Sequence, residues 1–341
     1  MRVLLIKTSS MGDVIHTLPA LTDAQRAIPG IRFDWVVEEG FAEIPTWHPA
    51  VDQVIPLALR RWRKNLRAAW RSGEFGAFRQ RLREGQYDLC IDAQGLLKSA
   101  VFSPYVNAPV AGLDRASARE PLASLFYQHR FSVAWRQHAV ERVRQLFAHS
   151  LGYTLPDGLG EYGVQLPPPL ASIGPAASLL FLHSTTWPTK HWPVDYWRQL
   201  AMLAAPRQVL LAWGNAAEQA RAELIAEALD NVQVLPKQSL AGITGVLQQV
   251  QACVAVDTGL GHLAAALGVP TVALFGPTDP GLSGNYGQEQ VHLRSSYPCA
   301  PCLQERCHQP APKLGNPPCF AELSPGKVWA ALQPLLRGRS V

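Results

Sequence analysis

Short β-rich apolar runs alternate with stretches of helical spacing along the first half of the chain. Residues 3–7, 33–38, 54–57 and 88–92 read as strands. Residues 14–27 and 75–84 read as helices, and a single turn at 41–44 is stopped by Pro45. Alternation of this kind predicts a parallel sheet covered on both faces. The pattern breaks at Leu166-Pro167-Pro168-Pro169-Leu170, with Gly174-Pro175 close behind, so residues 166–176 are expected to be a linker. Strands then restart near 179–183, 208–213, 232–235, 252–256 and 271–275, and a last helix is expected over about 325–336. The economical architecture is α/β: two Rossmann-like, doubly wound domains, 1–165 and 177–324, facing a central cleft, followed by a C-terminal segment 325–341.

Length and composition agree with that division. The 341 residues suit two domains of ordinary size, and 48% hydrophobic with 17% charged residues is a composition that can bury two cores. No stretch approaches the roughly 20 apolar residues of a membrane-spanning helix, and the apolar run at residues 3–6 is too short for a signal-peptide core. A cytoplasmic protein is expected.

The net charge of +5 is unevenly spread. Residues 60–84 hold nine basic side chains against Glu74 and Glu84, which leaves +7 there and −2 for the rest. Such a segment attracts phosphates or carboxylates, or is simply a solvated helical face.

In open α/β sheets, ligands bind beyond the carboxyl ends of the strands, which directs attention to four places. After the first strand comes Lys7-Thr8-Ser9-Ser10-Met11-Gly12-Asp13, which matches neither G-x-G-x-x-G nor the P-loop. Asp13 fits two roles there, a helix-start carboxylate complementing the dipole or a general base. A second site runs through Thr185, Thr186 and Lys190-His191-Trp192-Pro193, where hydroxyls, a lysine and a helix start suit a diphosphate, although a lysine at such a place is more often only a surface charge.

The third is Asp257-Thr258-Gly259-Leu260-Gly261-His262, whose glycines allow close approach of backbone to an anion. Asp257 as a cap and His262 as a packing residue are the plainer readings. The fourth pairs the strand end carrying Glu218, a carboxylate able to accept from two ribose hydroxyls or to lie solvated, with Gly276-Pro277-Thr278-Asp279-Pro280. No D-x-D sequence occurs, so carboxylates for a divalent cation on a donor diphosphate are not evident.

Taken together these runs resemble the lipopolysaccharide heptosyltransferase family, glycosyltransferase family 9. The resemblance rests on residues 7–23, Phe33-Asp34-Trp35-Val36-Val37-Glu38-Glu39, Arg60-Arg61-Trp62-Arg63-Lys64, Asp92-Ala93-Gln94-Gly95-Leu96 and Ala118-Arg119-Glu120-Pro121-Leu122-Ala123. Lys190-His191-Trp192-Pro193, Asp257 to His262 and Gly276 to Gly281 extend it through the second half.

It implies a GT-B fold and an inverting transfer of L-glycero-D-manno-heptose from ADP-heptose to the 3-deoxy-octulosonate of Kdo2-lipid A, with no cofactor required for catalysis. By resemblance, Asp13 is the base. Thr185, Thr186, Lys190, Thr258, Gly259 and His262 meet the diphosphate, Glu218 the ribose and Asp257 the heptose. Arg60, Arg61, Arg63, Lys64 and Arg119 hold the acceptor's carboxylates and phosphates, and Trp62 and Trp70 rest with the arginines on anionic lipid. The resemblance further implies a monomer at the cytoplasmic face of the inner membrane, no nucleic-acid partner, and a C-terminal helix packing back toward the first domain.

One feature departs from the simplest form of the family. Cys299, Cys302, Cys307 and Cys319 lie within 21 positions, a grouping that in a reducing compartment fits a structural zinc or iron, with His308 as a substitute ligand, or else reduced thiols without metal. Cys90 and Cys253 fall inside expected strands and read as buried, inert thiols.

Three other readings stay open. A sister transferase adding the second heptose, or another core sugar, shares the resemblance. A nicotinamide-dependent oxidoreductase shares the doubly wound halves but not the missing glycine fingerprint. A non-catalytic lipid- or nucleic-acid-binding protein would account for the basic segment alone.

Overall fold

The computed structural model describes residues 1–169, 177–309 and 317–337. The chain divides into two units, Met1–Leu166 and Pro167–Val341. Most of the expected linker, 170–176, lies outside the described residues, as does the tail 338–341.

In the first unit β1 (Arg2–Ile6), β2 (Arg32–Glu38), β3 (Val51–Leu57), β4 (Leu89–Asp92), β5 (Val110–Leu113) and β6 (His129–Phe131) form one all-parallel sheet, ordered β3-β2-β1-β4-β5-β6. Its helices are α1 (Met11–Ile15), α2 (Leu18–Ala27), α3 (Leu59–Lys64), α4 (Leu66–Arg71), α5 (Glu74–Glu84), α6 (Leu97–Ala100) and α7 (Ala139–Leu151).

The second unit repeats the plan with β7 (Leu179–Leu182), β8 (Val209–Leu211), β9 (Val232–Val234), β10 (Ala252–Val256), β11 (Thr271–Phe275) and β12 (Gln290–Arg294). They are ordered β12-β11-β10-β7-β8-β9 and again all parallel. Its helices are α8 (Val194–Ala204), α9 (Ala216–Ala226), α10 (Leu240–Leu247), α11 (Gly259–Ala266), α12 (Pro280–Ser283) and α13 (Pro325–Arg337). Both sheets have the doubly wound strand order, so each has a switch point beside its first strand: between β1 and β4, and between β7 and β10.

The central strands are continuous apolar runs because helices cover both their faces. Residues 3–6 of β1 and all of β4, β7 and β10 are buried, whereas the edge strand β9 is only partly so. The expected helix over 14–27 is in fact two helices. Pro19 lacks an N–H and its ring would strike the carbonyl one turn earlier, so the chain breaks at His16-Thr17 and restarts with Pro19 in the first turn of α2.

Three strands escaped the pattern. β6 is a three-residue edge strand with its first two residues exposed. In β5, Gly112 leaves room for the Tyr127 ring, which an added Cβ would meet at 2.5 Å. β12 ends the second sheet as a half-buried edge.

The C-terminal helix α13 was expected to pack toward the first domain. Its buried residues Val328, Leu332 and Leu336 join the core of the second unit with Trp192, Trp197, Val254 and Leu274. Trp192 Nε1 donates to the Leu323 carbonyl just ahead of that helix at 2.9 Å. Among the described residues no helix is long and apolar enough to cross a membrane.

Candidate active site residues in the two units

In the first unit the loops after β1 and β4 meet at the switch point. Gln94 Oε1 accepts from the backbone N–H groups of Thr8 and Ser9 at 2.9 and 3.2 Å, tying one loop to the other. Beneath it the buried Asp92 takes the Gln94 N–H and the hydroxyls of Ser99 and Tyr127, and burial raises its pKa. Asp92 is thereby a brace for the floor of the site.

Asp13 stands in the first turn of α1. Its Oδ2 accepts from both the backbone N–H and the hydroxyl of Ser10, at 2.7 and 2.9 Å, while Oδ1 lies 3.9 Å from Lys7 Nζ. One oxygen is pinned by Ser10 and the other faces Lys7 at ion-pair range, with the side chain 35% exposed.

Lys7 is buried and donates to the Ala93 carbonyl at 2.9 Å. Burial lowers its pKa, and Asp13 and Asp92 oppose that shift. A cavity of about 190 Å³ opens here, lined by Lys7, Asp13, His16, Gln94, Arg119, Trp135 and Arg142, together with apolar residues of α7.

The cations around this site divide by role. Arg119 lines the cavity. Lys98 donates to Ser9 Oγ at 2.7 Å, and its pKa is lowered by burial, with the cations Arg60 and Arg119 adding to that shift and the carboxylates Asp13 and Glu38 opposing it. Arg60 lies over the Phe41 ring at 5.2 Å, and its backbone N–H donates to Glu38 Oε1.

Arg61, expected to meet the acceptor, is already engaged by Glu39 at 3.1 Å and Glu74 at 2.9 Å, whose hydrogen bonds raise its pKa. Arg63 and Lys64 are exposed. Arg63 borders an apolar hollow of about 600 Å³ with Arg67, Trp70, Arg71 and Phe75. Trp62 is not a surface aromatic: it is buried, with Nε1 donating to Glu74 at 2.9 Å, whereas Trp70 is 81% exposed.

In the second unit the switch point gathers Lys190, Asp257 and His262. Lys190 Nζ lies 2.8 Å from Asp257 Oδ2 and 4.5 Å from the centre of the Trp187 ring. Thr278, which follows β11, donates to the same Asp257 oxygen at 2.7 Å, and His262 Nε2 is 3.8 Å from Oδ1. Asp257 is therefore the hub of this cluster and not a helix cap. Thr258 and Gly259 open α11, with Thr258 at the N-cap position. Gly261 packs closely, since an added Cβ would come within 3.3 Å of the Ala255 Cβ.

Thr185 and Thr186 lie on the loop after β7, the first half-buried with its carbonyl 2.9 Å from His191 Nε2, the second exposed. Glu218 sits elsewhere, beyond β8, where it accepts from the Gly214 N–H at 2.7 Å and Asn215 caps the helix that carries it. The structure thus joins Lys190, Asp257 and His262 directly and leaves Glu218 as a separate carboxylate.

Lys7, Gln94, Lys98, Trp135, Arg142 and Thr278 have no role assigned from the sequence, although Lys7 and Thr278 lie within the strand-end runs read as sites. The first three follow strand ends or sit one turn beyond them, so the strand-end rule would have found them. Arg142 and Trp135 depend on β5, β6 and α7, which the pattern did not reveal.

A metal at the cysteine grouping finds no support in the geometry. Among the described residues no three His, Cys, Asp or Glu side chains are placed to hold an ion. Cys319 is a core residue packed beside Gly276 and Phe320, its thiol pushed up to about 12 by burial and by the neighbouring Cys302, Cys299 and Cys307. Cys307 is exposed. Cys90 and Cys253 are buried in β4 and β10, as expected of inert thiols.

Comparison with known proteins converges on one group. The model of glycosyltransferase family 9 (heptosyltransferase) matches residues 75–312. Lipopolysaccharide heptosyltransferase 1 of Pseudomonas aeruginosa is 61% identical over 349 aligned positions, covering 98% of each chain. Two structures of E. coli heptosyltransferase WaaC are similar throughout. The one with ADP has TM-score 0.86 and 47% identity over 98% of this chain and 100% of that one. The one with ADP-2-deoxy-2-fluoro heptose has TM-score 0.83 and 46% identity over 98% and 99%.

Proposed function

The chain belongs to glycosyltransferase family 9, the heptosyltransferases, and from that premise we propose that it transfers heptose from ADP-heptose to the 3-deoxy-octulosonate of Kdo2-lipid A in the inner core of lipopolysaccharide. The observation that carries the mechanism is the state of Asp13: Oδ2 fixed by two Ser10 donors, Oδ1 without a hydrogen bond and 3.9 Å from Lys7 Nζ, on the wall of a cation-lined cavity. A carboxylate so held can take the acceptor hydroxyl proton as that oxygen attacks the anomeric carbon.

The departing ADP carries the charge that develops at the transition state. Lys190 and the start of α11 at Thr258 and Gly259 supply fixed positive charge and free N–H groups for it. Thr185, Thr186 and His262 complete the diphosphate set. Glu218 is suited to the ribose hydroxyls and Asp257 to the heptose. No step needs a cofactor.

Arg60, Arg119, Arg63 and Lys64 would receive the acceptor's anionic groups, with Arg61 holding the basic segment to Glu39 and Glu74. The exposed Trp70 among Arg63, Arg67 and Arg71 suits the surface of the inner membrane's cytoplasmic face, where each basic residue contributes about 1 kcal/mol. The 61% identity to a relative named for the first heptose favours that step over the second.

The test is acceptor-dependent ADP release from ADP-heptose and deacylated Kdo2-lipid A in the presence of chelator. The wild type should turn over and Asp13→Ala should lose at least a hundredfold. A folded wild type that releases no ADP with this pair would overturn the reading.

A further inference from the structure

Three cations converge on the cavity beside Asp13, and one of them has no established task. Arg142, in the first turn of α7, lines that cavity with Lys7, Arg119, Trp135 and Asp13. Its guanidinium stacks over the Trp135 ring, with Cζ 4.0 Å from the ring centre. One amino group donates to the Ser117 carbonyl at 2.7 Å, and Trp135 is itself anchored by Nε1 donating to the Ala116 carbonyl at 2.8 Å. The two side chains are thus locked to the same stretch of backbone.

What this arrangement lacks is a counterion. Among the described residues no carboxylate is paired with Arg142, and its buried Nε has no hydrogen-bond partner. Its surroundings add positive charge, because both Arg142 and Arg119 act on Lys7 in the sense expected of nearby cations. Lys7, Arg119 and Arg142 face the cavity against the single carboxylate of Asp13, so the pocket has an excess of two positive charges at its wall. A partly buried cation without a partner is costly unless something supplies the negative charge.

We propose that Arg142, oriented by Trp135 and Ser117, is a specificity-determining residue that binds the carboxylate of the acceptor's sugar acid, with Arg119 on its other side. The planar fork of a guanidinium matches a carboxylate, and a stacked guanidinium gives up little further freedom on binding. A carboxylate seated there sets the acceptor ring within reach of Asp13 and makes an acidic sugar, not a neutral one, the preferred nucleophile. This inference rests on the proposed transferase activity. It adds a residue that neither the basic segment nor the strand-end loops contain.

The experiment compares two deacylated acceptors, one native and one with the acceptor-sugar carboxylate reduced to a hydroxymethyl group, across wild type, Arg142→Met and Arg142→Lys. We expect Arg142→Met to raise the KM for the native acceptor at least tenfold with the KM for ADP-heptose within twofold of wild type. The wild type should disfavour the reduced acceptor by a similar factor, and Arg142→Met should no longer distinguish the two. Arg142→Lys should recover part of the discrimination.

Arg142→Met that still prefers the native acceptor as strongly as wild type overturns the proposal while leaving the transferase reading standing. Equal losses on both acceptors also overturn it, since they would mark a structural role. A wild type inert with either acceptor would remove the transferase reading and this inference together. The unchanged ADP-heptose KM serves as the control that the variant is folded.

Discussion

Lys190 Nζ and Asp257 Oδ2 stand 2.8 Å apart in the second unit, and both side chains are largely shielded from water. The lysine's charge is held by this carboxylate, with Thr278 donating to the same oxygen. On the proposed function, a diphosphate binding here would compete with Asp257 for the ammonium and be repelled by the carboxylate.

The two residues should therefore respond with opposite signs in ADP binding. Lys190→Met is expected to weaken ADP at least tenfold and to lower kcat by about a hundredfold, the loss typical of one transition-state electrostatic contact. Asp257→Asn should bind ADP severalfold more tightly and still turn over poorly, because on the proposed function the donor sugar would lose its partner. Calorimetric titration with ADP beside steady-state rates checks both. Weaker ADP binding by Asp257→Asn would contradict this account of the pair.

Ser10 holds Asp13 through two donors, and only one is a side chain. Ser10→Ala should keep the backbone bond and lose the hydroxyl, so kcat is expected to fall about 3- to 30-fold, far less than for Asp13→Ala. Substrate KM values should stay within twofold, and Ser10→Thr should restore most of the rate. A loss as large as that of Asp13→Ala would mean that the hydroxyl acts on substrate directly.

The stability of the first unit depends on a buried charge pair that ties α7 to α2. Arg144, 1% exposed, donates from Nε to Asp23 Oδ2 at 2.6 Å and from its terminal nitrogens to the carbonyls of Gly158 and Pro156 and to Glu141. Arg144→Met leaves the Asp23 carboxylate buried and removes two carbonyl partners, a change expected to cost about 3–5 kcal/mol. Denaturant unfolding of wild type and variant measures it. A cost below about 1 kcal/mol would show that water replaces the guanidinium there.

The sequence carried most of this architecture because the central strands are continuous apolar runs followed at once by chemistry-bearing residues. Asp13 after β1, Lys190 after β7 and Asp257 after β10 could be selected on that ground alone. What stayed illegible depends on contacts between distant segments. Nothing local in Arg61 reveals that Glu39 and Glu74 already hold it, and nothing in Trp62 reveals that Phe75 and Phe78 enclose it. Cys319 shares a spacing with three other cysteines, but packing against Gly276 and Phe320 makes it part of the core. Arg142 reaches the cavity only because two short strands, β5 and β6, precede α7, and neither has the alternation by which a strand is read.

Acid should destabilise the protein in part through His48, which is 1% exposed. The Ala50 N–H donates to its Nδ1 at 3.1 Å, so the ring proton resides on Nε2, 3.0 Å from Thr22 Oγ1. Protonation would place a second N–H against the Ala50 donor in a buried site, and burial lowers the pKa from 6.5 to about 4. The unfolded chain then binds a proton that the folded chain refuses between these two values. The stabilisation is complete above pH 6.5 and falls away as pH drops toward 4, a change on the order of 3 kcal/mol for a shift of this size. His48→Gln, which cannot titrate, should be less stable than wild type at pH 7, and that difference should shrink steadily as the pH approaches 4. Thermal melts of both proteins across this range provide the measurement, and a difference that stays constant with pH would show that His48 is not the group responsible.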